Sequence, residues 1–132
     1  MKLYIIFTAL VLFASCTKTK CGFGETDSLQ GNWEWAQTSG GLTGIVETPA
    51  STGNTMLLEL ASGGNYTITK NSVVTGQGNY TMDTQFCYHN NTTLSALKLG
   101  NDQMLTIERN SADTLILAEE YADGLIHIYT KK

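Results

Sequence analysis

Charge is scarce in this chain, and positive charge is scarcer than negative. Only 15% of the 132 residues are charged, and 8 Lys and Arg stand against 12 Asp and Glu, which gives a net charge of −4. Proteins that bind nucleic acids neutralise phosphates with Lys and Arg, so a nucleic-acid partner is not expected. Glycine, threonine and asparagine are abundant instead. That composition suits short strands and tight turns and fits helices poorly.

The motifs of several enzyme classes are also missing. The chain has no glycine-rich phosphate loop after a strand, no His-Glu-x-x-His and no Gly-x-Ser-x-Gly. Ser95 and Lys98 match the Ser-x-x-Lys pattern of penicillin-binding enzymes. That chemistry needs a helix, and on the strand predicted here the two side chains point to opposite faces. We therefore predict neither an enzyme nor a cofactor.

Candidate metal ligands are few. Cys87 and His89 fall on one face of their segment, but a metal site needs further ligands, and His127 is the only other histidine in the sequence. Glu119 and Glu120 are adjacent, so their side chains diverge, which favours a solvated turn over acid–base work or calcium binding. No metal site is predicted.

The one long apolar run is the amino-terminal leader. A single lysine precedes an apolar stretch over 3–14, which is too short for a stable membrane span and is typical of a secretory signal. Ala14, Ser15 and Cys16 resemble the lipobox of bacterial lipoproteins, in which the cysteine is acylated and the signal is cut just before it. The resemblance implies a signal peptide over 1–15 and a lipid bilayer as partner through acylated Cys16. An ordinary cleaved signal with a free Cys16 thiol is the alternative.

Three cysteines become two once Cys16 is acylated. Cys21 and Cys87 then remain in an oxidising compartment, where an even pair usually forms a disulfide. We predict a Cys21–Cys87 bridge, which would tie the tether over 16–30 to the folded domain. Two unpaired thiols, with Cys87 simply buried, are the alternative.

After the tether, apolar residues alternate with polar ones between regularly spaced turn signals, which is the period of a β-strand. Eight strands are predicted, at 32–37, 55–60, 66–70, 73–82, 93–99, 103–109, 114–118 and 125–131. Consecutive strands joined by short loops pair as an antiparallel meander, and eight of them can close on themselves. The predicted fold of 31–132 is therefore an all-β, eight-stranded antiparallel up-and-down barrel.

Large aromatic side chains fall on the predicted inner face, and two long connections, 38–54 and 83–92, interrupt the meander. The first connection carries glycines interleaved with apolar residues, which predicts either a flap that gates a site or a loop packed flat on the barrel mouth. Aromatic residues in a small barrel fill it or line a pocket. The inward-facing aromatics are Trp33, Trp35, Tyr66 and Tyr80, and Tyr129 is ambiguous because Ile126 and Ile128 compete for the same face. The predicted pocket is lined by Trp35, Tyr66 and Tyr80 under a flap bearing Leu42 and Ile45.

Gly31-Asn32-Trp33 opens the first strand, and the Gly-x-Trp strand followed by an eight-strand meander resembles the lipocalin family. The chain looks more closely like the small lipocalin-like lipoproteins of Bacteroidota, through the segment Thr48-Pro49-Ala50-Ser51-Thr52-Gly53 and the Asp123-Gly124 turn before the last strand. The resemblance implies that Trp33 packs under a basic residue of the last strand and closes one barrel end. Lys131 stands where arginine is usual. It also implies a small apolar ligand inside the barrel.

The lipoprotein resemblance carries a location as well. In Bacteroidota, acidic residues just after the acylated cysteine resemble a signal for export to the cell surface, and 17–20 contain none. We expect a lipid-anchored protein of the bacterial cell envelope, on the periplasmic face of the outer membrane.

Three functions remain open from the sequence. The first is an envelope lipoprotein that binds a small apolar or amphipathic ligand. The second is a structural or protein-interaction lipoprotein with a filled barrel. The third is an inhibitor of an incoming hydrolase that uses a rigid loop such as 86–91. A cavity inside the barrel would favour the ligand-binding lipoprotein over the structural one. A protruding loop fixed by a disulfide at Cys87 would favour the hydrolase inhibitor.

Overall fold

A computed structural model describes residues 29–87 and 91–132, with the backbone alone at 84–87. Within these residues the chain folds as a closed, eight-stranded antiparallel β-barrel, so the predicted fold class is confirmed. The described elements are β1 (Gly31–Gly40), β2 (Ile45–Glu47), α1 (Pro49–Thr52), β3 (Met56–Leu60), β4 (Asn65–Lys70), β5 (Val73–Cys87), β6 (Thr92–Leu99), β7 (Gln103–Asn110), β8 (Thr114–Ala118) and β9 (Leu125–Lys131). No helix among the described residues is long and apolar enough to cross a membrane.

The barrel closes because β1 pairs along both of its edges. On one edge it is antiparallel to β9, from Trp33 opposite Lys131 to Gly40 opposite Leu125. On the other edge its first half pairs with β3 and its last residues pair with the short β2. The remaining strands follow in sequence order from β3 to β9, each beside the next. A sheet closed in this way leaves the eight barrel strands without an unpaired edge.

The connection predicted over 38–54 holds two elements that the alternation did not reveal. β1 continues to Gly40 and turns back through residues 41–44 into β2, so the predicted flap is a β-hairpin. The helix α1 follows at once. Thr48 caps it through a reciprocal pair of hydrogen bonds with Ser51, Pro49 occupies its first turn, and Gly53 ends it with a φ of 68°. These are standard helix start and stop residues, so α1 was readable from the sequence.

The connection predicted over 83–92 is much shorter than expected, and its predicted start is wrong. β5 runs on to Cys87, and its last residues pair with the start of β6, with Phe86 opposite Thr93 and Cys87 opposite Thr92. Asp83, Thr84 and Gln85 interrupt the apolar alternation after Met82, so the sequence pattern did not show that the backbone pairing with β6 continues.

The two ends of the barrel differ in what they carry. The chain enters and leaves the barrel at one end, where β1 begins beside the end of β9. The β3–β4 and β7–β8 turns lie at this end too, because antiparallel neighbours alternate direction. We call it the closed end. The other end, called the open end, carries the β1–β2 hairpin, the β4–β5 and β6–β7 turns, and the connection from β8 to β9.

Alternate residues of every barrel strand point inward and form one apolar core. The buried cluster comprises Leu29, Trp33, Trp35, Leu58, Leu60, Tyr80, Leu97, Leu99, Leu105, Ile107, Leu115, Leu117 and Tyr129. On β9 the inner positions go to His127 and Tyr129, since Tyr129 is buried whereas Ile126 is exposed. Glycine makes room where two inner side chains would collide, because a Cβ at Gly78 would lie only 3.2 Å from the Tyr66 ring.

Candidate functional site

Trp33 seals the closed end. Its ring is fully buried, and its Nε1 donates a hydrogen bond of 2.7 Å to the carbonyl oxygen of Leu29. Lys131 Nζ lies 5.0 Å from the centroid of the ring, within the range of a cation–π contact. The structure thus brings together Trp33 and Lys131, the two residues assigned to barrel closure. Gly31 lets the lysine stem pass, since a Cβ there would lie 2.8 Å from Lys131 Cε.

A cavity of about 140 Å³ opens into the other half of the barrel. Six of the residues around it are apolar or aromatic, and two are polar. They are Met56, Leu58, Ile68, Leu99, Leu105 and Tyr129, together with Gln103 and His127. Leu58, Leu99, Leu105 and Tyr129 also belong to the buried core, so the cavity reaches the barrel interior. The closed half of the barrel is therefore filled, and the other half contains this small cavity.

None of the five residues predicted to line a pocket lines this cavity, and the aromatic ones miss it for reasons of depth. Tyr80 faces inward, but its hydroxyl donates to the Ala61 carbonyl, in the turn at the closed end. Tyr66 is half-buried and borders a shallow surface groove with neighbouring polar residues instead. Trp35 is buried in the core beside the cavity. Alternation identifies which face a side chain takes and says nothing of its height along the barrel.

The two flap residues are exposed rather than folded over the cavity. Leu42 is 91% exposed at the tip of the β1–β2 hairpin, and Ile45 is 38% exposed. The hairpin extends from β1, and its residues 38–40 pair with β2 on one side and with β9 on the other. It therefore continues the barrel wall beyond the open end.

A chain of hydrogen bonds connects the wall of the cavity to β1. The Nε1 of Trp35 donates to Thr38 Oγ1 at 2.9 Å, and Thr38 Oγ1 lies 3.0 Å from His127 Nδ1. A bulge in the pairing of β1 with β9, between Trp35 and Gln37, shifts the alternation by one residue. Trp35 and Thr38 consequently both face inward, although an unbroken strand would place them on opposite faces.

Glu119 extends this chain at the open end. Its Oε1 lies 3.7 Å from His127 Nε2, and its Oε2 accepts a hydrogen bond of 3.2 Å from the backbone of Leu125. The backbone contact fixes the carboxylate beside the histidine, and both side chains are mostly buried, at 26% and 16% exposed. The sequence favoured a solvated turn at 119–120, but the Glu119 side chain is only 26% exposed, and its carboxylate accepts a hydrogen bond from the Leu125 backbone N–H.

The order hydroxyl, imidazole, carboxylate is also found in hydrolases, but here the hydroxyl is turned inward. Thr38 is buried, accepts the Trp35 indole N–H, and is not among the residues that line the cavity. The group that borders the cavity is the imidazole of His127. This arrangement orients His127, because a hydrogen bond at one ring nitrogen decides what the other nitrogen does.

Tyr129 is the second titratable side chain on the cavity wall. Burial raises the pKa of its hydroxyl to about 12, because the low-dielectric interior disfavours the phenolate. The phenol is thus neutral at physiological pH, and Tyr129 borders the cavity without a charge.

Several predicted residues lie outside the described part of the chain. Cys16 and Cys21 precede residue 29, and His89 falls in the gap at 88–90. Cys87 is placed as the last residue of β5, with its backbone alone described. Within 29–87 and 91–132, no three side chains of the His, Cys, Asp and Glu types gather in a way that could hold a metal ion.

Comparison with known proteins adds no identity to this geometry. No protein-family model, no curated protein and no solved structure matches the chain.

Proposed function

We propose that this protein is a lipid-anchored envelope protein whose barrel binds a small apolar or amphipathic ligand at its open end. The observation that carries the proposal is the cavity of about 140 Å³ inside the barrel. A cavity of about 150 Å³ lined by Leu, Ile and Phe is known to stay dry and to bind benzene or xenon. The size of this cavity therefore fits a compact molecule close to benzene.

The lining supports binding as well as the volume does. Small-molecule sites are mostly apolar, with a few polar groups that fix orientation. Six apolar or aromatic side chains with His127 and Gln103 match that composition. The asymmetry of the barrel fits too, because Trp33 and Leu29 fill the closed end and leave the open end for entry.

Toluene tests the proposal, since it is an apolar molecule of suitable size. The probe protein is the full chain carrying Cys16→Ser, which the proposal expects to lack the acyl anchor and to need no detergent. Toluene should shift the NMR methyl signals of Leu99 and Leu105, which line the cavity, in a saturable way. The variant Leu99→Phe should abolish the shifts, because a larger side chain fills the space, whereas the same exchange at exposed Leu42 should leave binding unchanged.

Anchoring is tested separately. In the wild type, the protein should fractionate with membranes, and mass spectrometry should find a heavy lipid increment on Cys16. Each buried acyl methylene contributes about 0.8 kcal/mol, so several chains on one cysteine hold firmly. Cys16→Ser should move the protein to the soluble fraction. A soluble, unmodified wild-type chain would contradict the lipid anchor and would leave the ligand-binding proposal unaffected.

A second function is favoured by a different observation. The β1–β2 hairpin exposes Leu42 and Val46, which are 91% and 62% exposed, beyond the barrel wall. Exposed apolar side chains gathered on one projection are typical of surfaces that contact other proteins. The alternative is therefore a structural or protein-interaction lipoprotein. Failure of toluene to bind would make it the preferred function.

A further inference from the structure

A polar corner adjoins the cavity at His127, and its hydrogen-bonding pattern can be worked out atom by atom. Trp35 Nε1 is a donor only, so Thr38 Oγ1 must accept from it. The Thr38 hydroxyl has one hydrogen left, and His127 Nδ1 lies 3.0 Å away. Among the described residues, the hydroxyl contacts no other acceptor, so it donates to Nδ1 and its single hydrogen is satisfied.

This pattern fixes the state of the neutral imidazole. A neutral imidazole carries one N–H hydrogen, so a ring that accepts a hydrogen bond at Nδ1 bears that hydrogen at Nε2. The reverse arrangement would make Thr38 accept twice and leave its buried hydroxyl hydrogen unpaired, which costs free energy. The Trp35–Thr38 pair therefore presents His127 with an N–H donor at Nε2.

The donor at Nε2 is left without a well-formed partner among the described residues. Glu119 Oε1 is the facing acceptor, but it lies 3.7 Å away, beyond the range of a hydrogen bond. The other carboxylate oxygen is engaged with the backbone of Leu125, so the carboxylate is held in place. The His127 Nε2–H donor and the Glu119 Oε1 acceptor thus face each other at a distance slightly too long for a direct hydrogen bond.

We propose that this corner selects compact apolar ligands that carry a hydroxyl group, such as phenols and small alcohols. Glu119 lines a surface pocket next to His127 and not the cavity itself. The ligand hydroxyl therefore reaches past the imidazole, where its oxygen accepts from His127 Nε2–H and its hydrogen is donated to Glu119 Oε1. The apolar part of the ligand lies against Leu99, Leu105 and Tyr129. The proposal rests on the ligand-binding function above and names the class of ligand. Thr38 is a positioning residue, which acts only through His127.

Phenol and toluene form a matched pair of probes, because they are nearly equal in size and phenol carries a hydroxyl where toluene carries a methyl group. Dissociation constants for both are measured with the Cys16→Ser full chain and with the same chain carrying His127→Phe. The comparison uses the ratio of the two constants, so differences in ligand hydration cancel. Loss of the hydrogen bonds should weaken phenol relative to toluene by about five- to tenfold.

A spectroscopic measurement on the unsubstituted ring covers the case in which His127→Phe does not fold. The ¹⁵N shifts of His127 should show the tautomer with hydrogen on Nε2. Phenol should shift the Nε2 signal, and toluene should leave it nearly unchanged. Thr38→Val, which keeps the shape but removes the hydroxyl, should change the tautomer and lower the preference for phenol.

The outcomes separate the two proposals. If neither probe binds, the ligand-binding function and this inference both fail. If toluene binds, but phenol does not shift Nε2 or keeps its relative affinity in His127→Phe, the cavity is a binding site without hydroxyl selection and this inference is overturned. A hydroxyl-dependent Nε2 shift together with the loss of relative phenol affinity supports it.

Discussion

The closed end of the barrel offers the clearest energetic prediction, through Trp33 and its contact with Lys131. The perturbation is a double-mutant cycle of Trp33→Ala and Lys131→Met. Trp33 is fully buried and donates to the Leu29 carbonyl, so its removal leaves a large void and an unpaired acceptor. Truncation of a buried tryptophan costs roughly 3 to 5 kcal/mol. Domains are stable by only about 5 to 15 kcal/mol, so the variant should be close to unfolding.

The contribution of Lys131 is smaller and separable. Its Nζ lies 5.0 Å from the Trp33 centroid, and cation–π contacts at exposed sites contribute roughly 0.5 to 1 kcal/mol. Methionine preserves the apolar stem and removes the charge. The cycle should therefore return a coupling energy of about 0.5 to 1 kcal/mol between the two positions.

Urea denaturation, followed by far-UV circular dichroism in the Cys16→Ser background, measures both quantities. The loss of stability should lower the urea midpoint of unfolding. The dependence of the unfolding free energy on urea concentration should stay unchanged if both variants unfold in two states. A cost below about 1 kcal/mol for Trp33→Ala would refute the assignment of Trp33 to barrel closure, given the usual cost of a buried tryptophan. A coupling energy of zero would refute the cation–π contact alone.

Three further predictions follow from local geometry. Burial raises the pKa of Tyr129 from 10.0 to about 12, so its contribution to stability is complete below pH 10 and is lost as the pH rises to about 12. The loss should be roughly 3 kcal/mol by urea denaturation at each pH, and Tyr129→Phe should remove this part of the alkaline decline. Gly31→Ala should cost roughly 1 to 3 kcal/mol, because residue 31 has a φ of 135° and a Cβ would press on Lys131; a neutral effect would contradict the strain. Non-reducing peptide mapping should recover Cys21 linked to Cys87, and free reaction of both thiols in the folded protein would exclude the bridge.

The strands were predictable because their alternation is strong. β3 places Met56, Leu58 and Leu60 against the core, and β8 places Leu115 and Leu117 there, on the side that the alternation predicts. The leucines at these positions are buried, whereas their neighbours Leu57 and Ile116 are only partly buried, so burial follows the two-residue period of a strand. Consecutive strands with short turns then leave few topologies open, and closure follows from the absence of unpaired edges.

The candidate site was not predictable in the same way. Its polar corner depends on the bulge after Trp35, which brings Thr38 inward, and no glycine or other signal at that point of the sequence announces it. The cavity itself depends on height along the barrel, which strand alternation does not encode. His127 was considered as a possible metal ligand. Its partner Glu119 was assigned to a solvated turn, because a turn composition does not reveal a carboxylate that accepts a hydrogen bond from the backbone of Leu125.

The most direct test of the account is a crystal structure of the Cys16→Ser chain under xenon pressure. Xenon binds in apolar cavities without needing polar partners, so it tests whether the cavity exists independently of the polar corner at His127. We expect a xenon site inside the barrel at its open end, between Leu99, Leu105 and Tyr129. A barrel interior packed solid at this position, with no xenon between these three side chains, would contradict it.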